Sequence, residues 1–204
     1  VVEDLFVPRS RSFTRAELHA GRAADASGAC HQVPLLAVNG ISFAAPILGA
    51  ARGALAGWSG SVGLRIAQAG RGGPGVGPTA YYLALARAAG EIDAAQLLIE
   101  RAAAVADVPA GLTGLATARN LRDCTLAVEF LVSAVDQVFR HAGTHGLDRT
   151  SPLQRAWRDV HSAASHVALQ FEPAATSYAT TVLAGAGLPG PDVPGLPQRA
   201  PTSA

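Results

Sequence analysis

Long stretches with apolar residues at helical spacing, separated by breaks rich in glycine and proline, constrain this chain most. In the clearest stretch, 117–141, the apolar positions recur every three or four residues: Leu121, Cys124, Val128, Leu131, Val135 and Val138. Three more stretches are predicted as helices, at 44–69, 81–105 and 152–171. Because the loops between them are shorter than about fifteen residues, we predict an all-α fold, an antiparallel four-helix bundle.

Both ends of the chain differ from this helical region. The first eight residues, "VVEDLFVP", alternate as a β-strand does and end at a proline. From Gly185 onward the sequence is rich in glycine and proline, which predicts a disordered tail. We therefore expect a short N-terminal strand and linker over 1–36, the helical bundle over 37–184 and a flexible tail over 185–204. A start at valine is typical of a trimmed protein or of the C-terminal piece of a longer one.

The composition argues against several classes of partner. A formal net charge of +1 gives no electrostatic reason to expect nucleic acid or an anionic membrane as partner. We find no uninterrupted apolar run long enough to span a bilayer. The two cysteines, Cys30 and Cys124, lack metal-ligand spacing. We expect both to be buried in a reduced, cytoplasmic chain with no metal.

The segment "LQRAWRDVHSAASHV" (153–167) concentrates the polar chemistry of the chain. One stripe of the predicted helix is apolar and should face the core: Leu153, Trp157, Val160, Ala164, Val167 and Phe171. A second stripe lies nearly opposite and is polar: Arg155, Asp159, Ser162 and His166. A solvated face is the ordinary interpretation. Serine, histidine and aspartate are poor helix formers, however, so a face turned to a ligand, domain or subunit is equally open.

Extended to "PLQRAWRDVHSAASHV", this segment resembles the last core helix of the acyl-CoA dehydrogenase fold. It is most similar to the flavin-dependent aromatic monooxygenases that receive reduced flavin from a separate reductase. "VVEDLFVP" resembles the end of that family's middle β-domain. "GLRIAQAGRGGPG" and "FRHAGTHG" are similar to its arginine-bearing loop and to the glycine turn before the last helix. The resemblance covers roughly residues 1–183 and implies the C-terminal helical domain of such an enzyme.

The resemblance also implies an activity and its partners. The expected reaction is hydroxylation of a small aromatic or phenolic substrate with O2 and reduced FMN or FAD. A separate flavin reductase would supply the reduced flavin, and the enzyme would be a cytoplasmic homotetramer. His166 is the candidate catalytic residue, because an imidazole near the flavin can hydrogen-bond the substrate and titrates near neutral pH. The implied cofactor-binding residues are Arg71, Gly143 and Thr144. The implied substrate-binding residues are Ser42, Phe43 and His161.

Two other functions stay open at this point. An acyl-CoA dehydrogenase of the same fold needs a carboxylate to abstract a proton. The nearest glutamate to His166 is Glu172, almost two turns later and beside a proline. The other alternative is a non-catalytic oligomerisation domain, because bundles of this fold drive tetramer formation.

Overall fold

The computed structural model describes residues 3–22, 28, 32–69 and 78–188. Within these ranges the chain is all-helical, as predicted, and six α-helices are present. Their bounds are α1 (Arg15–Ala20), α2 (Leu35–Ala69), α3 (Pro78–Ala106), α4 (Gly114–Arg140), α5 (Pro152–Ala164) and α6 (Phe171–Gly185). Helix α4 is central and packs against α2, α3, α5 and α6. The bundle therefore contains the four predicted helices together with α6, a fifth helix that the sequence did not predict.

The predicted N-terminal strand does not form in the part of it that the structure describes. Residues 3–8 have no strand assignment, and Leu5, Phe6 and Val7 are all exposed. A strand is stable only when its backbone groups pair with a neighbour. The described residues supply no such neighbour, since they contain no β-strand.

Helix α2 begins earlier than predicted, at Leu35 rather than near residue 44. Pro34 immediately precedes it, and its carbonyl accepts the Ala37 amide at 2.9 Å. Ser42 therefore lies inside the helix and does not cap it, and its hydroxyl donates to the Asn39 carbonyl at 2.8 Å. One stripe of α2 is buried at helical spacing: Ala37, Ala44, Ile47, Ala51, Ala54, Trp58 and Val62.

The same helix corrects the expectation about membrane-spanning length. The segment from Leu35 to Ala67 is long enough and apolar enough to cross a bilayer by length and composition alone, with a mean hydropathy of 1.4. That is weak evidence, because a core helix of a bundle meets the same criteria. Here α2 packs against α3, α4 and α5, which accounts for its apolar stripe.

Helix α4 follows the predicted spacing closely. Cys124, Val128, Leu131, Val135 and Val138 are each at most 3% exposed, and Leu121 is half-buried. Where α4 meets α2, a Cβ added at Gly40 would lie 2.8 Å from the Cβ of Cys124. The absent side chain at Gly40 therefore allows the two helices to approach closely.

A buried polar cluster ties the helices together beside this contact. The Asp123 side chain is 1% exposed and accepts hydrogen bonds from Arg101 Nε at 2.7 Å and Arg122 Nε at 2.7 Å. Arg122 also lies 4.1 Å from the ring centroid of Tyr178 on α6. The amide of Asn120 donates to the carbonyls of Ala37 on α2 and Ala102 on α3. The cluster therefore joins α2, α3, α4 and α6.

Helix α5 ends at Ala164, seven residues before the predicted end at 171. A short 3-10 turn follows at Val167–Leu169, and α6 then starts at Phe171. The prediction that Val167 and Phe171 face the core was wrong, since they are 80% and 38% exposed. Pro173 lies in the first turn of α6, where proline is tolerated.

Candidate functional site

His166 lies in the turn between α5 and α6, not on a helix face as expected. Its imidazole stacks on the Phe43 ring of α2, with centroids 4.0 Å apart and an interplanar angle of 27°. The sequence suggested these two residues separately, for catalysis and for substrate binding. The structure brings them together, because the chain turns back toward α2 after Ala164.

Two sets of hydrogen bonds hold the turn that carries His166. The Ala168 amide donates to His166 Nδ1 at 3.2 Å, so the imidazole caps the 3-10 turn. The Gln170 side-chain amide donates to the carbonyls of Ala164, Ser165 and His166 at 3.5, 3.4 and 3.3 Å. Sequence reasoning missed Gln170. The only signal was its place just after the histidine and before the next helix.

The remaining substrate-binding candidates divide between two places. Ser42 is exposed and next to Phe43 in the chain. His161 instead contacts α4, with its Nε2 3.0 Å from Asp136 Oδ1 and its ring against Trp157. One nitrogen of His161 is therefore committed within the bundle, while its side chain keeps 36% exposure.

The part of the polar stripe that lies on α5 is exposed, and two of its residues pair within the helix. Arg155 Nε lies 3.5 Å from Asp159 Oδ2, with side-chain exposures of 78% and 61%. Arg158 donates to Gln154 one turn earlier. This face is therefore free to meet solvent or another surface, and it makes no ion pair with neighbouring helices among the described residues.

A cavity of about 510 Å³ lies between α2 and the segment that leads into α5. Its lining includes Gly53, Gly57 and Trp58 on one side and His145 on the other. Arg65 also lines it and donates from Nη1 to the Ala142 carbonyl at 2.8 Å. The cavity thus combines a small-residue wall with a cationic side chain.

The glycine turn predicted to bind cofactor is at the rim of this cavity. Gly143 and Thr144 lie between Ala142 and His145, which both line it. Gly143 has φ +70°, a conformation that favours glycine, and a Cβ added there would be 3.6 Å from Arg65 Nη1. Arg71 lies outside the described residues. Arg65, six residues earlier, is the arginine that the structure places beside the turn.

The remaining groups to consider are metal-binding clusters and the two cysteines. No cluster of three or more histidine, cysteine or carboxylate side chains with metal-binding geometry occurs in the part of the chain that the structure describes. Cys124 is buried as expected, and burial raises the pKa of its thiol to about 12. Cys30 lies outside the described residues.

A family model matches most of the helical part of the chain. Residues 41–171 match the family model described as the acyl-CoA dehydrogenase, C-terminal domain. The match covers more than half of the chain, and the chain belongs to this family.

Two relatives of this chain are named as the oxygenase parts of flavin-dependent enzymes. The oxygenase subunit HsaA, a flavin-dependent monooxygenase from Mycobacterium tuberculosis, is 31% identical over 175 residues, which cover 82% of this chain and 44% of HsaA. The oxygenase component of an FADH2-dependent resorcinol hydroxylase from Rhizobium sp. is 31% identical over 199 residues, which cover 90% of this chain and 48% of that protein. The chain therefore spans about half the length of the curated relatives it matches.

Solved structures show the same correspondence. The crystal structure of HsaA from M. tuberculosis superposes with a TM-score of 0.75 at 30% identity, covering 95% of this chain and 51% of HsaA. The crystal structure of 3-HSA hydroxylase from Rhodococcus sp. gives a TM-score of 0.78 at 27% identity, covering 94% and 50%. In both, this chain corresponds to about half of the larger protein.

Proposed function

We propose that this chain is the C-terminal helical domain of the oxygenase component of a two-component flavin-dependent monooxygenase. Its reaction is hydroxylation of a small aromatic or phenolic substrate with O2 and a reduced flavin, which a partner reductase supplies. FAD is the favoured cofactor, because a relative 31% identical is named FADH2-dependent. The observation that carries the proposal is the stack of His166 on Phe43, since it joins the candidate catalytic and substrate-binding residues in one place.

The cavity beside Gly143 fits part of such a cofactor. Glycines on its wall let a planar or phosphate-bearing group approach the backbone closely. The guanidinium of Arg65 provides a positive charge for an anionic group. Arg65, Gly143 and Thr144 are therefore the residues that would hold the flavin, with His145 beside them. When bound, reduced flavin supplies the electrons that activate O2 for transfer of one oxygen atom to the substrate.

The side chains of this chain contribute binding and orientation. Phe43 and the imidazole of His166 form an aromatic stack in which the imidazole is exposed, and such a stack suits a flat aromatic ligand. Ser42 adds an exposed hydroxyl at the same edge of α2, and His161 remains a candidate on the neighbouring surface of α5. An acyl-CoA dehydrogenase would need a carboxylate base, which many such enzymes place about here and some take from another helix. Here a histidine occupies this position, and that favours the monooxygenase.

The assembly follows from the same proposal. Residues 1–8 would form a strand only when a preceding β-domain provides a partner, and the bundle would associate as a cytoplasmic homotetramer. Apolar side chains on the outer face of α3 support association, since Leu83 and Leu97 are 69% and 68% exposed. The proposed organisation ends the linker where α2 begins, at Leu35, and extends the helical bundle to Gly185. Of the tail expected over 185–204, residues 189–204 lie outside the described residues.

An anaerobic titration tests the proposal directly. The product of the complete coding sequence is titrated with reduced FAD and, separately, with reduced FMN, and then mixed with O2 and a panel of phenols. We expect saturable binding of reduced flavin and a hydroxylated product. A protein of tetrameric mass by light scattering that binds neither flavin would contradict the proposal and favour an oligomerisation domain. Reduction of bound oxidised flavin by an acyl-CoA would instead favour a dehydrogenase.

A further inference from the structure

The hydrogen bond between Ala168 and His166 restricts what the imidazole can do. A backbone amide always donates, so Nδ1 must be the unprotonated nitrogen to accept this 3.2 Å bond. In a neutral imidazole one nitrogen carries the proton, which must then be Nε2. The turn therefore selects one of the two tautomers of His166.

Two neighbours fix the orientation of the same ring. Phe43 covers one face of the imidazole at 4.0 Å between centroids. The Gln170 amide reaches the three successive carbonyls at the end of α5, including that of His166 itself. His166 is exposed, so these contacts, and not burial, restrict its rotation.

We propose that His166 acts as a neutral Nε2–H donor to an oxygen atom of the bound aromatic substrate and does not act as the base that removes the phenolic proton. The tautomer is set by the Ala168 amide, and Phe43 and Gln170 are positioning residues. This inference rests on the proposed function for the identity of the ligand. The phenolic proton is lost to solvent water, and the Nε2–H donor stabilises the resulting phenolate, the electron-rich form of the ring that attacks an electrophilic oxygen.

The tautomer itself is measured without any ligand. Nitrogen-15 NMR of the histidine side chains, under alkaline conditions that keep imidazole neutral, distinguishes protonated from unprotonated ring nitrogens. We expect His166, assigned by its loss in His166→Gln, to show an unprotonated Nδ1 and a protonated Nε2. A protonated Nδ1, or equal averaging of the two nitrogens in the wild-type protein, would overturn the inference.

Substitutions then test the donor role in the product of the complete coding sequence, with reduced FAD, O2 and a phenol. A glutamine side chain keeps an N–H donor, and its oxygen can accept a hydrogen bond from the Ala168 amide. Glutamine cannot act as a base. We expect His166→Ala and His166→Glu to lower the rate of product formation by roughly 10²-fold, and His166→Gln to stay within about tenfold of wild type. A base would give the opposite order, with His166→Glu more active than His166→Gln.

The positioning residues are tested by their effect on the imidazole. Gln170→Glu removes the donating amide at constant size, and Gln32→Glu, at another exposed glutamine, is the matched control. Phe43→Leu removes the stacked ring, and Phe130→Leu, at another half-buried phenylalanine packed against the core, is its control. We expect averaging of the two His166 nitrogens in Gln170→Glu and Phe43→Leu but not in the controls.

The outcomes separate the two proposals. A wild-type protein that binds no reduced flavin refutes the proposed function, yet the NMR spectrum still decides the tautomer. If Gln170→Glu does not fold, the spectra of wild type and Phe43→Leu decide. An unchanged single tautomer in Phe43→Leu would remove Phe43 as a positioning residue.

Discussion

The indole Nε1 of Trp157 donates a 2.7 Å hydrogen bond to Oδ1 of Asp136, which joins α5 to the central helix α4. The Trp157 ring also stacks on Phe139, with centroids 5.0 Å apart. His161 Nε2 approaches the same carboxylate oxygen at 3.0 Å. Packing and this hydrogen bond therefore explain Trp157, whereas His166, near the end of the segment 153–167, remains the candidate catalytic residue.

A double-mutant cycle should detect the contact between Trp157 and Asp136. Trp157→Phe removes the N–H donor but keeps an aromatic ring, and Asp136→Ala removes the acceptor. Because the acceptor is charged and only partly exposed, we expect a coupling free energy of about 1 kcal/mol in denaturant unfolding. Additive effects of the two substitutions would show that the hydrogen bond contributes nothing to stability.

Asp123→Ala should destabilise the fold strongly. The carboxylate is buried between Arg101 and Arg122, so its removal leaves two guanidinium groups without their partner. We expect a loss of about 3 kcal/mol in the free energy of unfolding. Asp159→Ala is the control, because its pair with Arg155 is exposed and should contribute less than about 1 kcal/mol. Equal effects at both positions would contradict the assigned role of the buried cluster.

Two glycines of α2 should respond to alanine in opposite directions. At Gly40 the new Cβ would meet the Cys124 Cβ at 2.8 Å, so Gly40→Ala should cost about 1–3 kcal/mol of stability. At Gly49 no heavy atom of the described residues lies within 4 Å of the new Cβ. Gly49→Ala should therefore stabilise the helix by about 0.5–1 kcal/mol. Thermal unfolding of both variants checks the prediction, which fails if Gly40→Ala is neutral.

Cys124 should resist alkylation in the folded protein. In a Cys30→Ser background, labelling by a small thiol reagent at about pH 8 should be far slower in the native protein than in denaturant, because only the accessible thiolate reacts. Rapid labelling of the native protein would contradict the burial of this side chain.

The same thiol predicts an alkaline effect on stability. Burial raises its pKa from 9.0 to about 12, so the unfolded state loses this proton at lower pH than the folded state does. The free energy of unfolding should therefore fall as the pH rises above 9.0 toward about 12. Cys124→Ala should remove this part of the dependence, which is measured by denaturant titration at several alkaline pH values.

The spacing of apolar residues predicted a helix correctly where that spacing alone determines it. The stripe on α4 was predicted almost residue by residue, because its apolar side chains recur at one helical spacing against the core. The end of α5 was not predicted, since the apolar spacing continues through Val167 and Phe171. There the competing interactions of His166 and Gln170 with the backbone end the helix.

The residues of the candidate site also divide into those visible in the sequence and those found only in the structure. The residue types of Ser42, Phe43, Gly143, Thr144 and His166 were visible in the sequence, and the resemblance suggested their roles. The contributions of Asp136, Arg65 and Gln170 were not visible in the sequence. Asp136 and Arg65 each bond a partner on another segment of the chain, and Gln170 acts through the geometry of the turn.

By itself the sequence determined an all-α chain, the approximate positions of its long helices and the chemistry available in the segment around His166. Helical periodicity is a local property, so it can be read without knowing the neighbours of a helix. Only the tertiary structure decided that His166 stacks on Phe43 and that Trp157 bonds Asp136, because those partners meet only after the helices pack.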